Sequence, residues 1–292
     1  MAPSRGSWHV IVLEDADRLT ETANNVLLKA IEEPPPRAVW LLCTPSVEDV
    51  LPTIRSRCRH VMLKTPAPSD VAAYLQSVEG VDATTAAFAA HASQGHVGRA
   101  RALARDDSAR QRRREILSIP ARLRDLRTCF ASAEAMVQTA KDDAKAITDP
   151  LDEREREDLL LAWGEGAEGR GVKGGARGVK GAQKELEDRQ KSRATRTQRD
   201  QLDRALIDLL GFYRDVLAEQ FGAAVDTSGF INAEMASEIR RVAQEGDAVE
   251  TMWRIDAIER ARLALDANVA PQLAIEALTI DLRRPGLRRA LS

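Results

Sequence analysis

Aromatic side chains make up only 4% of the 292 residues, cysteine occurs three times, and no Gly-x-x-x-x-Gly-Lys-[Ser/Thr] loop occurs anywhere. Each shortage excludes something. With few aromatics the cores must be mainly aliphatic. Without the glycine-rich loop, these residues offer no backbone cradle for the phosphates of a nucleotide. Cys43, Cys58 and Cys129 are widely spaced and include no Cys-x-x-Cys pair, so neither a zinc site nor a disulfide framework is expected from this chain alone. His9, His60, His91 and His96 show no His-Glu-x-x-His spacing, and no serine sits in a Gly-x-Ser-x-Gly elbow, which leaves zinc-protease and serine-hydrolase chemistry without a footing. No run approaches the ~18 apolar residues of a membrane span. The first residues, Met1 to Ser7, contain no apolar signal-peptide core, and with free thiols the expected compartment is the cytoplasm. Net charge is -2. A chain that grips nucleic acid by itself is usually more basic, so any contact with DNA is local or belongs to a larger assembly.

What remains is a helix-rich composition. Hydrophobic residues are 43% of the chain and charged residues 30%, with an excess of Ala, Leu, Glu and Arg that suits helices. The length allows two or three domains. Trp8 to Leu13 is an almost continuous apolar run, the signature of a strand buried on both faces. Thr20 can cap a following helix whose apolar positions Ala23, Val26, Leu27, Ala30 and Ile31 form one stripe. Pro34-Pro35-Pro36 stops it. Ala38 to Cys43 predicts a second buried strand. Asp49 to Arg57 reads as a short helix broken by Pro52, and Arg59 to Leu63 as a third strand. Strand, helix, strand in that order implies a parallel α/β sheet. Three strands and few helices cannot cover both faces, so this domain is expected to be truncated at its start.

Pro66 and Pro68 mark a linker, after which Ser69 can cap the first helix of a small helical unit reaching Asp107. No strand signal follows Ser108. Helical patterning covers 109–119, 120–145, 152–163 and, after an interruption, 183–220. Thr251 to Arg284 reads as two helices hinged at Asn268 to Pro271. The interruption is glycine-rich, and ten Lys or Arg face five Asp or Glu between Gly164 and Arg199. Such a segment is a flexible basic insertion, 164–182. The basic run from Arg170 to Arg199, which extends beyond it, is either solvated or able to touch DNA phosphates.

Two short patterns carry chemistry. The first strand ends in Glu14-Asp15-Ala16-Asp17. An aspartate at a buried strand end holds Mg²⁺ in phosphate-loop ATPases, although the same residues also suit a polar helix entry. Ser56-Arg57-Cys58 presents a guanidinium, always charged and with five donors, which suits a γ-phosphate gaining charge in its transition state. An ordinary surface arginine between Arg55 and Arg59 is the other reading of that pattern.

Order and spacing bind the two together. Leu19-Thr20-Glu21-Thr22-Ala23-Asn24-Asn25-Val26-Leu27-Leu28-Lys29-Ala30-Ile31-Glu32-Glu33-Pro34-Pro35, directly after the acidic strand end, and Thr53-Ile54-Arg55-Ser56-Arg57-Cys58, after the next strand, together resemble the clamp-loader ATPases of the AAA+ class over about fifty residues. Within that family the pattern is most similar to the non-hydrolysing delta-prime branch of bacterial DNA polymerase III. The resemblance implies a truncated AAA+ α/β domain (1–65), a small helical lid (66–107) and a helical collar (108–292). It makes Asp15 a vestigial Walker B aspartate, with Ala16 where the hydrolysing members carry a catalytic glutamate. Thr44 stands, as a weak match, at the polar sensor place after the second strand. In the lid, Gly95-His96-Val97-Gly98-Arg99-Ala100 puts Gly98 at the place of a nucleotide-sensing arginine and Arg99 one beyond it. Arg57 becomes an arginine finger supplied to a neighbour, with Ser56 and Cys58 shaping its turn. Apolar Ile258, Ala261, Leu265, Leu273, Ala277 and their neighbours would face the core or adjacent subunits of a ring.

The implied role is an accessory one, without catalysis by this chain alone and with ATP and Mg²⁺ at the neighbouring interface rather than bound here. The implied partners are the delta and gamma/tau subunits, the sliding clamp and, through the complex, primed DNA. No membrane partner and no metal site are implied. Two other readings stand beside it: an active gamma/tau-like ATPase whose phosphate loop precedes this sequence, against which Ala16 speaks, and a decayed fragment.

Overall fold

Strand β1 (His9–Leu13) is followed by a single turn of 3-10 helix at Ala16–Arg18, helix α1 (Glu21–Glu32) and strand β2 (Ala38–Leu42). The strands pair in parallel, His9 opposite Ala38 through Leu13 opposite Leu42. Parallel strands require a crossover, and α1 supplies it. The Thr20 hydroxyl accepts from the Ala23 amide at 3.3 Å, capping α1 as the sequence suggests. This computed structural model describes residues 8–164, 175–223 and 229–283, and the chain divides into two units, Met1–Thr65 and Pro66–Ser292.

In the first unit, Leu27, Val50 and Ile54 form a small core joined by Leu13, Leu28, Ile31, Trp40 and Leu42. The α1 stripe is rotated from the expected one. Val26 is exposed, while Asn24 turns inward and donates to the Leu19 carbonyl at 3.1 Å. That bond makes a polar residue acceptable inside. The strands are not buried on both faces. Val10, Val12, Val39 and Leu41 are exposed, because the one crossover helix covers one side only. The third strand expected at Arg59 to Leu63 does not form, and among the described residues the sheet has two strands. Val61, Met62 and Leu63 have strand-like side chains but no paired neighbour among the described residues, and all three lie open to solvent. Pro52 does not break a helix there; it opens helix α2 (Pro52–Arg55) at the first position, where its missing N–H costs nothing.

Helices α3 (Pro68–Ser77), α4 (Ala83–Ala92) and α5 (Val97–Arg105) begin the second unit. Pro68, not Ser69, opens α3, with Ala67 at the cap, again because a proline pre-sets the first turn. Their core is built largely from alanine, with Ala86, Ala89, Ala90, Ala92 and Ala100 around Val71, Leu75 and Leu103. Small side chains let three short helices approach closely.

Helices α6 (Asp107–Leu117) and α7 (Ile119–Arg122) lead into α8 (Leu126–Gly164) and α9 (Gly175–Gln220). The expected break near 146–151 is absent: α8 runs through Pro150, which leaves the Ala146 carbonyl without its helical partner but does not end the helix. Of the expected insertion 164–182, residues 165–174 lie outside the described ones, and the backbone is helical from Gly175 rather than from Gln183. Part of its basic charge is spent within the chain. Arg193 bridges to Asp152 and Glu155 across the α8–α9 hairpin, and Arg199 donates to Asn268.

Helices α10 (Ala236–Glu245), α11 (Ala248–Asp266) and α12 (Pro271–Arg283) complete the unit. α10 had no counterpart in the sequence reading. The α11–α12 hinge falls at Asn268, whose φ of 64° is one asparagine tolerates. Leu202, Leu206, Leu209, Phe212, Tyr213 and Val216 of α9 are buried along one face, and α8, α10, α11 and α6 all pack on α9. Ile258, Ala261, Leu265, Ile275 and Leu278 belong to this core, whereas Leu273 is exposed.

A buried ionic cluster pins α5 and α6 to α9. Arg113 donates to Asp208 at 3.1 Å and pairs with Glu234 and Asn232, and Arg99 also pairs with Asp208. Asp215 in turn accepts from the amides of Ile231 and Asn232 and from the Asn232 side chain, at 3.0, 2.8 and 2.8 Å. Removing one member strands a desolvated charge. Arg113→Ala is therefore expected to cost about 3–5 kcal/mol of stability, read from the urea midpoint. The α8–α9 hairpin adds a pH dependence. The Arg193 guanidinium holds the Glu155 carboxyl down at about 2, against an ordinary 4.5. A depressed carboxyl stabilises the folded form above its unfolded value and loses that contribution as pH falls through its folded value. Amide protection near Glu155 should thus decline between pH 4.5 and about 2, and Arg193→Ala should flatten the decline.

Candidate functional site

The acidic end of β1 is built by backbone bonds across the sheet. The Cys43 amide donates to the Leu13 carbonyl at 2.8 Å, and the Ala16 amide to the Cys43 carbonyl at 2.9 Å. Those two bonds carry the pairing one step past the strands and set Asp15 to Asp17 beside Thr44. Asp15 itself takes a left-handed conformation, φ 51° and ψ 50°, which an aspartate adopts more readily than most residues. The turn it makes buries the Ala16 methyl, 3% exposed. Position 16 thus presents a buried methyl group with no acceptor.

Thr44 faces both its own loop and the acidic turn. Its hydroxyl lies 2.6 Å from the Ser46 carbonyl and 3.2 Å from Asp17 Oδ1, so its one proton serves the loop it sits on. Sequence reasoning picked Asp15 and passed over Asp17 as a partner of Thr44. A signal was present in the Glu14-Asp15-Ala16-Asp17 string, but only the strand register selects which carboxylate meets the threonine.

Ser56, Arg57 and Cys58 occupy the turn that closes α2. The Ser56 amide donates to the Pro52 carbonyl at 3.0 Å, the Arg57 amide to Ile54 at 3.0 Å and the Cys58 amide to Arg55 at 3.2 Å. The Ser56 hydroxyl donates to the Thr53 carbonyl at 3.2 Å. Arg57 Nη1 donates to the same carbonyl at 2.8 Å, and Nη2 lies 2.6 Å from Glu32 Oε1. Both side chains of that ion pair are 41% exposed. Cys58 packs half-buried against Leu27, Val50 and Ile54, anchoring the turn from beneath. The structure therefore brings Ser56, Arg57 and Cys58 together, and separately brings the Asp15–Asp17 turn to Thr44. A cleft of about 650 Å³ has Thr44, Cys58, Arg59 and Val61 to Leu63 among its lining residues. Asp15 and Arg57 do not line it. Glu32, the partner of Arg57, was quoted in the sequence only as part of a motif string.

In the second unit, Arg99 is 12% exposed and paired with Asp208; its guanidinium is taken up by this chain's own carboxylate. Ala16 carries no side-chain group that could act as a base. No cluster of His, Cys, Asp and Glu among the described residues could hold a metal ion. No helix among them is long and apolar enough to cross a membrane.

Residues 1–67 match the family described as DNA polymerase III, delta subunit. The chain is 35% identical over 103 residues to the DNA polymerase III subunit delta' of Escherichia coli, covering 35% of this chain and 31% of that protein. To subunit delta' of Haemophilus influenzae it is 40% identical over 73 residues, 25% of this chain and 22% of the relative. It is also 36% identical over 83 residues to the gamma/tau subunit of Mycobacterium tuberculosis, 27% of this chain and 14% of that subunit. The chain thus spans less than a third of the length of each of these relatives. The resemblance to the clamp-loader AAA+ family holds for the N-terminal part of the chain, and similarity to both delta' and gamma/tau subunits leaves the branch to be argued from the site.

The three thiols give a direct check of the turn geometry. Cys43 is exposed, whereas burial pushes the Cys58 and Cys129 thiols up from their ordinary range. Less thiolate forms at those two sites at neutral pH. Iodoacetamide should modify Cys43 first, Cys58 more slowly with a rate still rising at alkaline pH, and Cys129 only on unfolding, as read by mass spectrometry. Equal rates at Cys43 and Cys58 at neutral pH would contradict the packed turn.

Proposed function

We propose that this chain is a non-hydrolysing, delta-prime-like subunit of a DNA polymerase III clamp loader, serving its neighbour's ATP rather than its own. The observation that carries the proposal is the contrast at one α/β unit: a buried methyl at Ala16 beside Asp15, and an exposed guanidinium at Arg57 on a well-anchored turn. In this reading Arg57 reaches the γ-phosphate of ATP on an adjacent gamma/tau subunit. Ser56 ties the turn to the Thr53 carbonyl and Cys58 seats it on the core, so the guanidinium departs from a fixed base. A positioned cation of this kind is worth ~10³ to 10⁵ in rate at the site it serves.

The rest of the role follows from the same reading. Residues 1–65 are the AAA+ α/β part, 66–107 the lid and 108–292 the collar that contacts neighbouring subunits. The partners are the delta and gamma/tau subunits, a sliding clamp and primed DNA, in the cytoplasm. Asp15 and Thr44 are remnants of a nucleotide site, with Thr44 retained to shape its loop. The similarity to gamma/tau subunits favours a second reading, an ATP-hydrolysing subunit.

Reconstitution separates the two. With the delta and gamma/tau subunits, clamp and primed DNA present, Arg57→Ala should lower turnover at the adjacent site by about 10³-fold or more while the complex still assembles. Unchanged stimulated turnover with intact assembly overturns the trans-arginine role. The chain alone should not turn over ATP; clear activity that disappears in Asp15→Ala would establish the second reading instead.

A further inference from the structure

The partner of Arg57 comes from the other motif of this unit. Glu32 lies in the last turn of α1, in the string Ile31-Glu32-Glu33-Pro34-Pro35, and the prolines fix where that turn ends. A carboxylate at a helix C-terminus faces the negative end of the helix dipole and gains from a nearby cation. Arg57 supplies it at 2.6 Å. The other terminal nitrogen of the same guanidinium is on the Thr53 carbonyl at 2.8 Å. Each terminal nitrogen thus spends an N–H group on an acceptor of this chain. A bidentate grip on a phosphate needs two of those N–H groups pointing outward.

Resting on the proposed role of Arg57, we propose that Glu32 is a positioning residue: it holds the Arg57 guanidinium back on its own chain, and a triphosphate oxygen of the adjoining subunit must displace it before Arg57 can act. The half-exposed setting of both side chains suits such a contact. An exposed pair of this kind is weak and screened by salt, so it biases the finger without locking it. The Thr53 carbonyl still holds Nη1 when Glu32 lets go, so it is the Nη2 side of the guanidinium that turns outward. Removing the carboxylate should therefore raise the population of outward-facing guanidinium by a factor on the order of two to five.

The first arm uses the full chain alone and the arginine reagent phenylglyoxal, read by mass spectrometry. At low salt Glu32→Gln should raise the labelling rate at Arg57 roughly two- to five-fold, with Arg59, exposed and two residues on, unchanged as the internal control. Adding salt should raise the wild-type rate at Arg57 toward that of Glu32→Gln. Equal labelling of Arg57 in the two chains at low salt, or a wild-type rate indifferent to salt, overturns the proposal. The salt titration needs no variant, so a misfolded substitution would not leave the idea untested. The second arm is the reconstituted loader without clamp or DNA: Glu32→Gln should raise its basal ATPase, and Arg57→Ala with Glu32→Gln should cancel the rise. A fall in basal turnover would mean that Glu32 aids the finger, and sinks the restraint. If Arg57→Ala alone leaves stimulated turnover untouched, the proposed function fails while the labelling result still decides whether Glu32 restrains Arg57.

Discussion

Parallel pairing of two five-residue strands is the constraint from which the first unit follows. Parallel neighbours cannot be joined by a hairpin, so the chain must climb back through a helix. That helix, α1, fills the one covered face of the sheet and ends on its proline stop. Because the strands share a direction, both of their C-terminal ends arrive at one edge, where the Leu13–Cys43 and Ala16–Cys43 backbone bonds join them. Asp15 and Thr44 are neighbours of that edge for this reason, not through any attraction between them. The same crossover delivers Glu32 to the end of α1, where the turn after α2 comes back to meet it. A one-residue slip of β2 would exchange the covered Trp40 and Leu42 for Val39 and Leu41 and would move Thr44 off the acidic turn.

The second unit depends on α9 in a comparable way. Its apolar stripe gathers four other helices, and its two buried carboxylates, Asp208 and Asp215, are the fixed points for Arg99, Arg113 and the Ile231–Asn232 amides. Charges buried in this way contribute little net stability compared with apolar residues of the same volume, but they are costly to mismatch. They therefore specify which helices meet. Arg113 can be satisfied only when α6 lies against α9 with Asn232 and Glu234 already in place. The alanine-rich core of α3, α4 and α5 has a directional element of its own, the Glu79 carboxylate just after α3 paired with Arg101 and Arg105 of α5, and Arg99 adds another by reaching Asp208 from α5.

Local chemistry was legible in the sequence, and pairing across distance was not. The Thr20 cap, the proline stop after α1 and the Asn268 hinge are each written in a few adjacent residues, and each appears where the residues put it. Apolar runs at β1 and β2 gave the strands, yet an identical signal at Val61 to Leu63 gave none. A strand is defined by its neighbour, and an apolar run cannot say whether one is present. Prolines misled in both directions. Pro52 and Pro68 read as breaks or linkers but open helices, whereas Pro150, in the stretch left between two expected helices, lies inside one. The missing N–H decides these cases, and only the position in the helix tells whether its loss matters. The Arg57–Glu32 pair and the Arg99–Asp208 pair join residues far apart in sequence, and no periodicity announces such contacts.

The uneven fate of the two motifs has a physical logic. A catalytic base must stand within hydrogen-bond reach of a water that is itself placed against the phosphate. Its usefulness is hostage to every other part of the same site, and a methyl at position 16 abolishes it at once. An arginine that acts on a neighbour's phosphate needs less from its own chain: a charge that never titrates, a turn that holds its root, and a side chain free to leave the surface. Ser56 and Cys58 provide the turn from backbone bonds and apolar burial, neither of which involves a nucleotide. In the proposed role the arginine turn needs no hydrolytic chemistry beside it, only that something keep so exposed a guanidinium from binding anions at random. Under the restraint proposed above, a carboxylate in an exposed ion pair that a triphosphate can displace meets that requirement, and Glu32 lies 2.6 Å from Arg57.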